Sequence, residues 1–339
     1  DVYKRQQTYV HTFYKKEATA QQPATSKEEG NLVAFSGPDF KATFDKQSGL
    51  LTSYLYKKHE YILNGQGPRP FFWRAPTDND YGANLPVRLK AWKEASYQEP
   101  KAESFQVTPG SNATTIKVTY RFPQTDARWD ITYKIYASGV IKVDNRFVAE
   151  GDQAPMIPRV GLRMQLPESF TDLTYYGRGP KENYRDRRTS QFIGEYAIPV
   201  KDMYEPYVRP QENNHRTDIY WCALTDKTQR GLLLIADRTF ELNASNYPLE
   251  SMDSGDTIDN GAPRTEKTHH RHLTDPLPEK MVDLFIDYRM MGVGGDDSWG
   301  ATAHEPYLIR PGKENAIEYG FSLVPFDKKE DYKYLIRQY

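Results

Sequence analysis

The sequence holds 339 residues, with 45 Lys and Arg against 46 Asp and Glu. That balance supplies no field of one sign, which argues against nucleic acid or an anionic membrane as partner, and no apolar run approaches the ~20 residues needed to span a bilayer. The single cysteine, Cys222, excludes an internal disulfide and a cysteine-rich metal site, while a 13% aromatic content that includes 25 Tyr suits sheets and a neutral, sugar-like partner.

Residues 1–6 (DVYKRQ) read as a non-native leader of adapter sequence, and with no initiator Met the frame is expected to be truncated at its N-terminus. Residues 7–30 alternate weakly and then turn small and polar, the composition of a linker after some preceding domain. From Asn31 the pattern changes. Phe40, Ala42 and Phe44 alternate into Lys46-Gln47-Ser48-Gly49, and Leu51, Ser53 and Leu55 alternate out again, which predicts a hairpin. Val87–Ala95 (VRLKAWKEA) has the spacing of two helical turns that need tertiary support.

A period of two returns in Ile116, Val118, Tyr120 and Phe122, and in Ile131, Tyr133 and Ile135, predicting half-buried strands. Gly231–Ala236 (GLLLIA) is continuous and apolar, as in a strand covered on both faces. Val282, Leu284, Ile286 and Tyr288 alternate, as do Ile317, Tyr319, Phe321 and Leu323. With 23 Pro, 22 Gly and little helical periodicity, residues 31–327 are expected to form one all-β domain of two packed antiparallel sheets, and the charged residues 328–339 a frayed or short helical tail.

Several segments carry chemistry-bearing side chains. Phe72–Gly82 (FWRAPTDNDYG) sets Asp78, Asn79 and Asp80 before Gly82, which suggests turn capping or a functional loop hinged at Gly82 and flexible through Ala83-Asn84-Leu85. Its glycine position and missing Glu depart from a calcium-binding EF-hand. In Met291–Trp299 (MGVGGDDSW) the glycines let the backbone turn and aim Trp299 out of a sheet, although local sequence alone favours a core tryptophan. His270 and His272 share a strand face without a third ligand that would complete a zinc site, so they and His269 read as structural. Arg178, Glu182, Arg185 and Asp186 read as a hydrogen-bonded loop or subunit contact. No nucleophile elbow, HExxH or Gly-rich dinucleotide loop occurs, and spacing names no catalytic pair of carboxylates.

The strings FFWRAPTDNDYGANLPVRLKAWKEA, YYGRGPKENYRDRRTSQFIGEY, MYEPYVRPQENNHRTDIYWCAL, THHRHL and MGVGGDDSW, in that order, closely resemble the C-terminal domain of glycoside hydrolase family 2 β-galactosidases of the large bacterial type. The resemblance covers roughly Asn31 to Phe326. It implies a large antiparallel supersandwich of the galactose-mutarotase-like type, following an immunoglobulin-like domain of which residues 7–30 are the end. It also implies a β-galactoside substrate, a catalytic (β/α)₈ barrel elsewhere in the parent chain and a homo-oligomeric full enzyme. The family's acid and nucleophile are glutamates on that barrel, and its Mg and Na ions sit on segments absent here, so neither a catalytic residue nor a metal carries over. By similarity Trp299 lines the floor of the galactoside site and the loop beginning near Gly82, with Asp78, Asn79 and Asp80 before it, closes over it. That loop is shorter here than in the best-known members, and Asp253–Lys267 is a local elaboration. The alternatives are a stand-alone carbohydrate-binding module, an aldose 1-epimerase of the same fold, for which no His and carboxylate pair can be placed, and a separately encoded small subunit.

Overall fold

The computed structural model describes residues 22–150, 156–255, 272–297 and 300–338. A five-stranded antiparallel sheet runs in chain order through β1 (Thr25–Glu29), β2 (Leu32–Ser36), β3 (Phe40–Asp45), β4 (Leu51–Tyr56) and β5 (His59–Glu60). The alternation of Phe40, Ala42 and Phe44 buries one face of β3 and leaves Lys41 in water, so the predicted hairpin forms with Phe40 opposite Tyr56. Gly49 closes its turn at φ +75°, a conformation that L side chains rarely adopt.

The second sheet has 12 strands among the described residues. Its main path runs β13 (Phe192–Pro199), β12 (Asp172–Gly179), β14 (Arg216–Thr225), β15 (Gly231–Ser245), β17 (Ile317–Phe326), β10 (Ile141–Ala149), β9 (Ala127–Ile135), β8 (Thr114–Phe122) and β7 (Ala102–Thr108). A branch leaves β15 through β16 (Met281–Met290) and β11 (Arg159–Pro167) to β6 (Arg69–Phe71). The apolar run Gly231–Ala236 pairs with β17, whereas Glu241–Ser245 of the same strand pairs with β16. Between them the register against β14 shifts twice, from Trp221 opposite Ile235 to Ile219 opposite Phe240 and then Arg216 opposite Leu242. β15 is therefore a shared strand at which one sheet forks in two. The apolar run predicts a strand over Gly231–Ala236; the strand is longer and continues to Ser245 through the irregular triplet Asp237-Arg238-Thr239.

The two sheets pack through aromatic rings. Phe44 of the smaller sheet meets Tyr133 of β9 at 5.0 Å between centroids, and the buried Tyr54 hydroxyl donates to Gly139 O at 2.5 Å. Phe72, fully buried, has Trp92, Phe122, Trp129 and Phe147 within 4.9–5.5 Å, which roots the segment after it in the core. That segment forms α1 (Asp78–Gly82), α2 (Leu85–Arg88) and α3 (Lys90–Tyr97). Leu85 of α2, Trp92 of α3 and Leu89 at the junction between them are buried. The sequence reading expected a flexible stretch through Ala83-Asn84-Leu85; instead Ala83 and Leu85 are buried, and Asn84, at φ 55°, is the left-handed corner that joins α1 to α2. The last helix, α4 (Tyr332–Gln338), lays Tyr332 against Trp221 and Phe326 at 6.0 and 5.5 Å.

Candidate functional site

Two of the segments singled out in the sequence meet through one buried ion pair, and a third joins them through Asp186. Arg74, 1% exposed, grips Asp80 with both arms, Nε to Oδ2 at 3.0 Å and Nη2 to Oδ1 at 2.7 Å. The same guanidinium donates to Met291 O at 2.7 Å and Gly292 O at 3.0 Å, tying Phe72–Gly82 to the start of the glycine-rich segment. Asp80 also accepts from Thr77 N at 3.0 Å and donates its own backbone N–H to Thr77 Oγ1 at 3.2 Å, a capping box that starts α1. Thr77→Ala is expected to cost about 1 kcal/mol of stability, read as a lower urea midpoint at constant m-value; an unchanged midpoint would show that Asp80 holds the turn without the threonine.

Asn79 Nδ2 donates to Val293 O at 3.0 Å, and Asp186, from the YGRGPKENYRDR segment, accepts from Val293 N at 3.1 Å and Gly294 N at 2.7 Å. Gly292 is needed for this approach, since a Cβ there would stand 2.6 Å from Asp186 Oδ2 and 2.8 Å from Ala303 Cβ. Gly82 ends α1 beside Gly300, whose added Cβ would lie 3.6 Å from Gly82 O. Trp299, Ser298, His269 and His270 lie outside the described residues.

The four loop residues thus take different parts. Asp80 is spent on Arg74 and buried, so it is not a free acceptor. Asp78 is exposed and accepts from Gln211 Nε2 at 3.1 Å, with Arg209 Nε at 3.9 Å. Asn79 faces Val293, and Gly82 is a helix terminus with no positive φ. The three acceptors of the Asp-Asn-Asp run therefore diverge and do not cage a cation.

Asp78, Asn79 and Val293 line a pocket of ≈ 270 Å³ with Tyr184, Arg187, Tyr207 and Glu212. Its scale lies just under the ~300–1,000 Å³ common for small-molecule sites, with room for one sugar-sized group. Glu182 organises one wall, accepting from Tyr207, Arg187 and, at 2.8 Å, Asn214 N. Burial pushes the Tyr207 phenol above its ordinary value, and its bond to Glu182 pushes the same way, so it stays a neutral donor. Arg187 stands 5.0 Å over the Tyr184 ring, which stacks on His215 at 5.4 Å. Glu212 gives Oε1 to Arg159 and Asn243 at 3.2 and 2.9 Å, while its Oε2 has no hydrogen-bond partner.

Behind the pocket lies a His and carboxylate pair that the sequence reading did not find. His215 Nε2 is 2.9 Å from Glu241 Oε2, and His215 Nδ1 is 2.6 Å from Asn243 Oδ1. Burial raises the Glu241 pKa, but the His215 hydrogen bond and Arg185, 2.6 Å away, outweigh it and hold the carboxyl below its usual value. At 0% and 1% exposure the pair is sealed from a substrate, so it does not serve the epimerase alternative. The signal was present in β15, where Glu241, Asn243 and Ser245 put three polar groups on one face of a strand whose other face is Leu242 and Ala244. Arg178, read as part of a hydrogen-bonded loop, donates to Asp218 Oδ2 at 2.8 Å and Gln191 O at 2.8 Å.

A family model described as beta galactosidase small chain matches residues 36–323. The chain is 33% identical over 291 residues to a β-galactosidase of Priestia megaterium (strain DSM 319 / IMG 1521), an alignment covering 86% of this chain and 26% of that protein. It is 32% identical over 279 residues to one from Lactobacillus delbrueckii subsp. bulgaricus (82% and 26%), and 28% identical over 305 residues to one from Streptococcus thermophilus (88% and 27%). The chain therefore spans about a quarter of the length of these curated relatives. Among solved structures it is similar to a galactose 1-epimerase from Lactobacillus acidophilus NCFM, at TM-score 0.49 and 6% identity over 91% of this chain and 99% of that one. It is also similar to a putative aldose 1-epimerase from Escherichia coli K12, at TM-score 0.45 and 10% identity over 87% and 99%.

Proposed function

Because this chain belongs to the beta galactosidase small chain family, we propose that it is the C-terminal part of a glycoside hydrolase family 2 β-galactosidase and completes an active site whose catalytic carboxylates stand on a barrel outside this chain. The observation that carries the reading is the convergence of the motif segments on one rim. Arg74 and Asn79 bind the carbonyls of Met291, Gly292 and Val293, Gly82 abuts Gly300, and the ≈ 270 Å³ pocket opens beside them. By the family resemblance Trp299, one position before Gly300 in sequence, is the residue that offers a flat ring to the apolar C–H face of a galactosyl group. The chemistry it serves is retaining hydrolysis: acid-assisted departure of the aglycone, a covalent galactosyl intermediate, then attack by water. This chain's contribution is positional, and by the family resemblance the loop beginning near Gly82 is the element that closes over the occupied site.

On this reading the purified chain alone does not hydrolyse nitrophenyl β-galactoside, and adding a chain that bears the barrel restores turnover. Hydrolysis by the purified chain would overturn the assignment of the catalytic groups to another segment. In the complete enzyme, Trp299→Ala is expected to weaken substrate binding by about 1–3 kcal/mol, the scale of losing a buried aromatic contact, seen chiefly as a higher KM; unchanged kinetics would remove Trp299 from the site.

A further inference from the structure

The fork in the second sheet borders a wide cleft. Where β15 leaves β17 for β16, a half-open cleft of ≈ 760 Å³ is lined by β8, β9, β10, β17, the Asp237–Thr239 irregularity and Tyr288-Arg289 of β16. Its volume falls within the ~300–1,000 Å³ range of small-molecule sites.

The charges in the cleft are unevenly spent. All four lining carboxylates are paired: Asp130 with Arg128 at 2.9 Å, Asp144 with Lys134 at 3.1 Å, Glu318 with Arg146 at 3.4 Å, and Asp237 with Lys142. Arg185 is taken by Glu241 at 2.6 Å. Arg238 and Arg289 line the same cleft and have no carboxylate partner among the described residues; Arg289 Nε is buried without an acceptor. Asn145, 4% exposed, also lines the cleft. Its Oδ1 accepts from Trp129 Nε1 at 3.0 Å, and its Nδ2 has no partner among the described residues.

The unspent charged and amide groups are therefore all donors, and an occupant that satisfies them must be rich in acceptors and negatively charged. Tyr288 and Tyr319, with ring centroids 6.2 Å apart, add aromatic surface, of which the Tyr288 ring is shared with the Arg289 guanidinium 4.9 Å from its centroid. A bare inorganic anion would leave both that surface and most of the volume unused. We propose that this cleft binds an acidic saccharide, a sugar whose carboxylate is held by Arg238 and Arg289 while its ring rests on the tyrosines. Every residue named for the site stands in this chain, so the proposal can be tested on the purified chain separately from the galactosidase reading.

The test is calorimetric titration of the purified chain with a galacturonate disaccharide, with lactose as the neutral control and sodium sulfate as the point-anion control. Saturable binding of the uronate is expected, at least about tenfold tighter than either control and weakened at least about tenfold in Arg238→Gln and in Arg289→Gln, the scale of one charge-assisted hydrogen bond. Arg238 is exposed, so its variant keeps the fold and carries the test if Arg289→Gln is unstable. No uronate binding, equal affinity for lactose or sulfate, or an Arg238→Gln variant that binds as well as the parent would each overturn the proposal.

Discussion

Arg74→Ala should destabilise the chain by about 3–5 kcal/mol, because it leaves the Asp80 carboxylate buried without its countercharge. The side chains of the pair are 2% and 7% exposed, and four hydrogen bonds end on the guanidinium. Removing it also strips the Met291 and Gly292 carbonyls of their donor, so the glycine-rich segment loosens together with α1. Urea unfolding gives the stability, and protease cleavage within Met291–Asp297 of the native state gives the local effect. A loss under about 1 kcal/mol would mean that the pair barely repays its own desolvation. Arg74→Met with Asp80→Leu, which removes both charges at once, should recover only the part of the loss that comes from the unpaired carboxylate, since the Met291 and Gly292 carbonyls still lack their donor.

The second large effect is a dependence on pH. Asp287 is fully buried, and neither carboxylate oxygen has a hydrogen-bond partner among the described residues. Burial raises its pKa to about 7 against the opposing pull of Arg159, whose Nε lies 3.1 Å away, and of His215, while Glu241 and Glu212 push it further up. The folded state thus holds a proton that the unfolded state has released. This stabilising contribution is fully present below the unfolded carboxyl pKa of 3.8 and is lost as the pH rises through about 7. Asp287→Asn mimics the protonated form. It should match the parent near pH 4 and be the more stable of the two by a few kcal/mol near pH 8, on the scale of ~1.4 kcal/mol per pKa unit. Denaturant titrations of both proteins across that range give the difference directly. A parent that gains on the variant as the pH rises would show that Arg159 governs Asp287 in place of burial.

Much of the sheet architecture was legible because its cause is local. Phe40, Ala42 and Phe44 alternate, as do Ile116 to Phe122 and Val282 to Tyr288, and each set lies on a strand. The fork was not legible, since a strand that changes partner at Asp237–Thr239 looks in sequence like a strand that ends. Helical residues 85–97 were underestimated because their support is Trp92 against Phe72, a contact with no signature in the segment itself. At the candidate site, the run Asp78-Asn79-Asp80 was found, but the division of labour within it was not. Which acidic residue is spent depends on Arg74, six positions from Asp80 and brought onto it only when the chain folds back over Met291. His215 and Glu241 meet across two strands, so neither residue's neighbours in sequence announce the other.

The shared strand also decides how the molecule tolerates change. Because the register shifts between Ile235 and Phe240, the alignment of β15 with β17 is set independently of its alignment with β16. Sliding a strand by one position turns its apolar face outward, and the irregular triplet is where such a slip can be absorbed before it crosses from one branch to the other. An insertion or deletion within residues 237–239 should therefore reshape the mouth of the cleft while both hydrophobic layers keep their alignment.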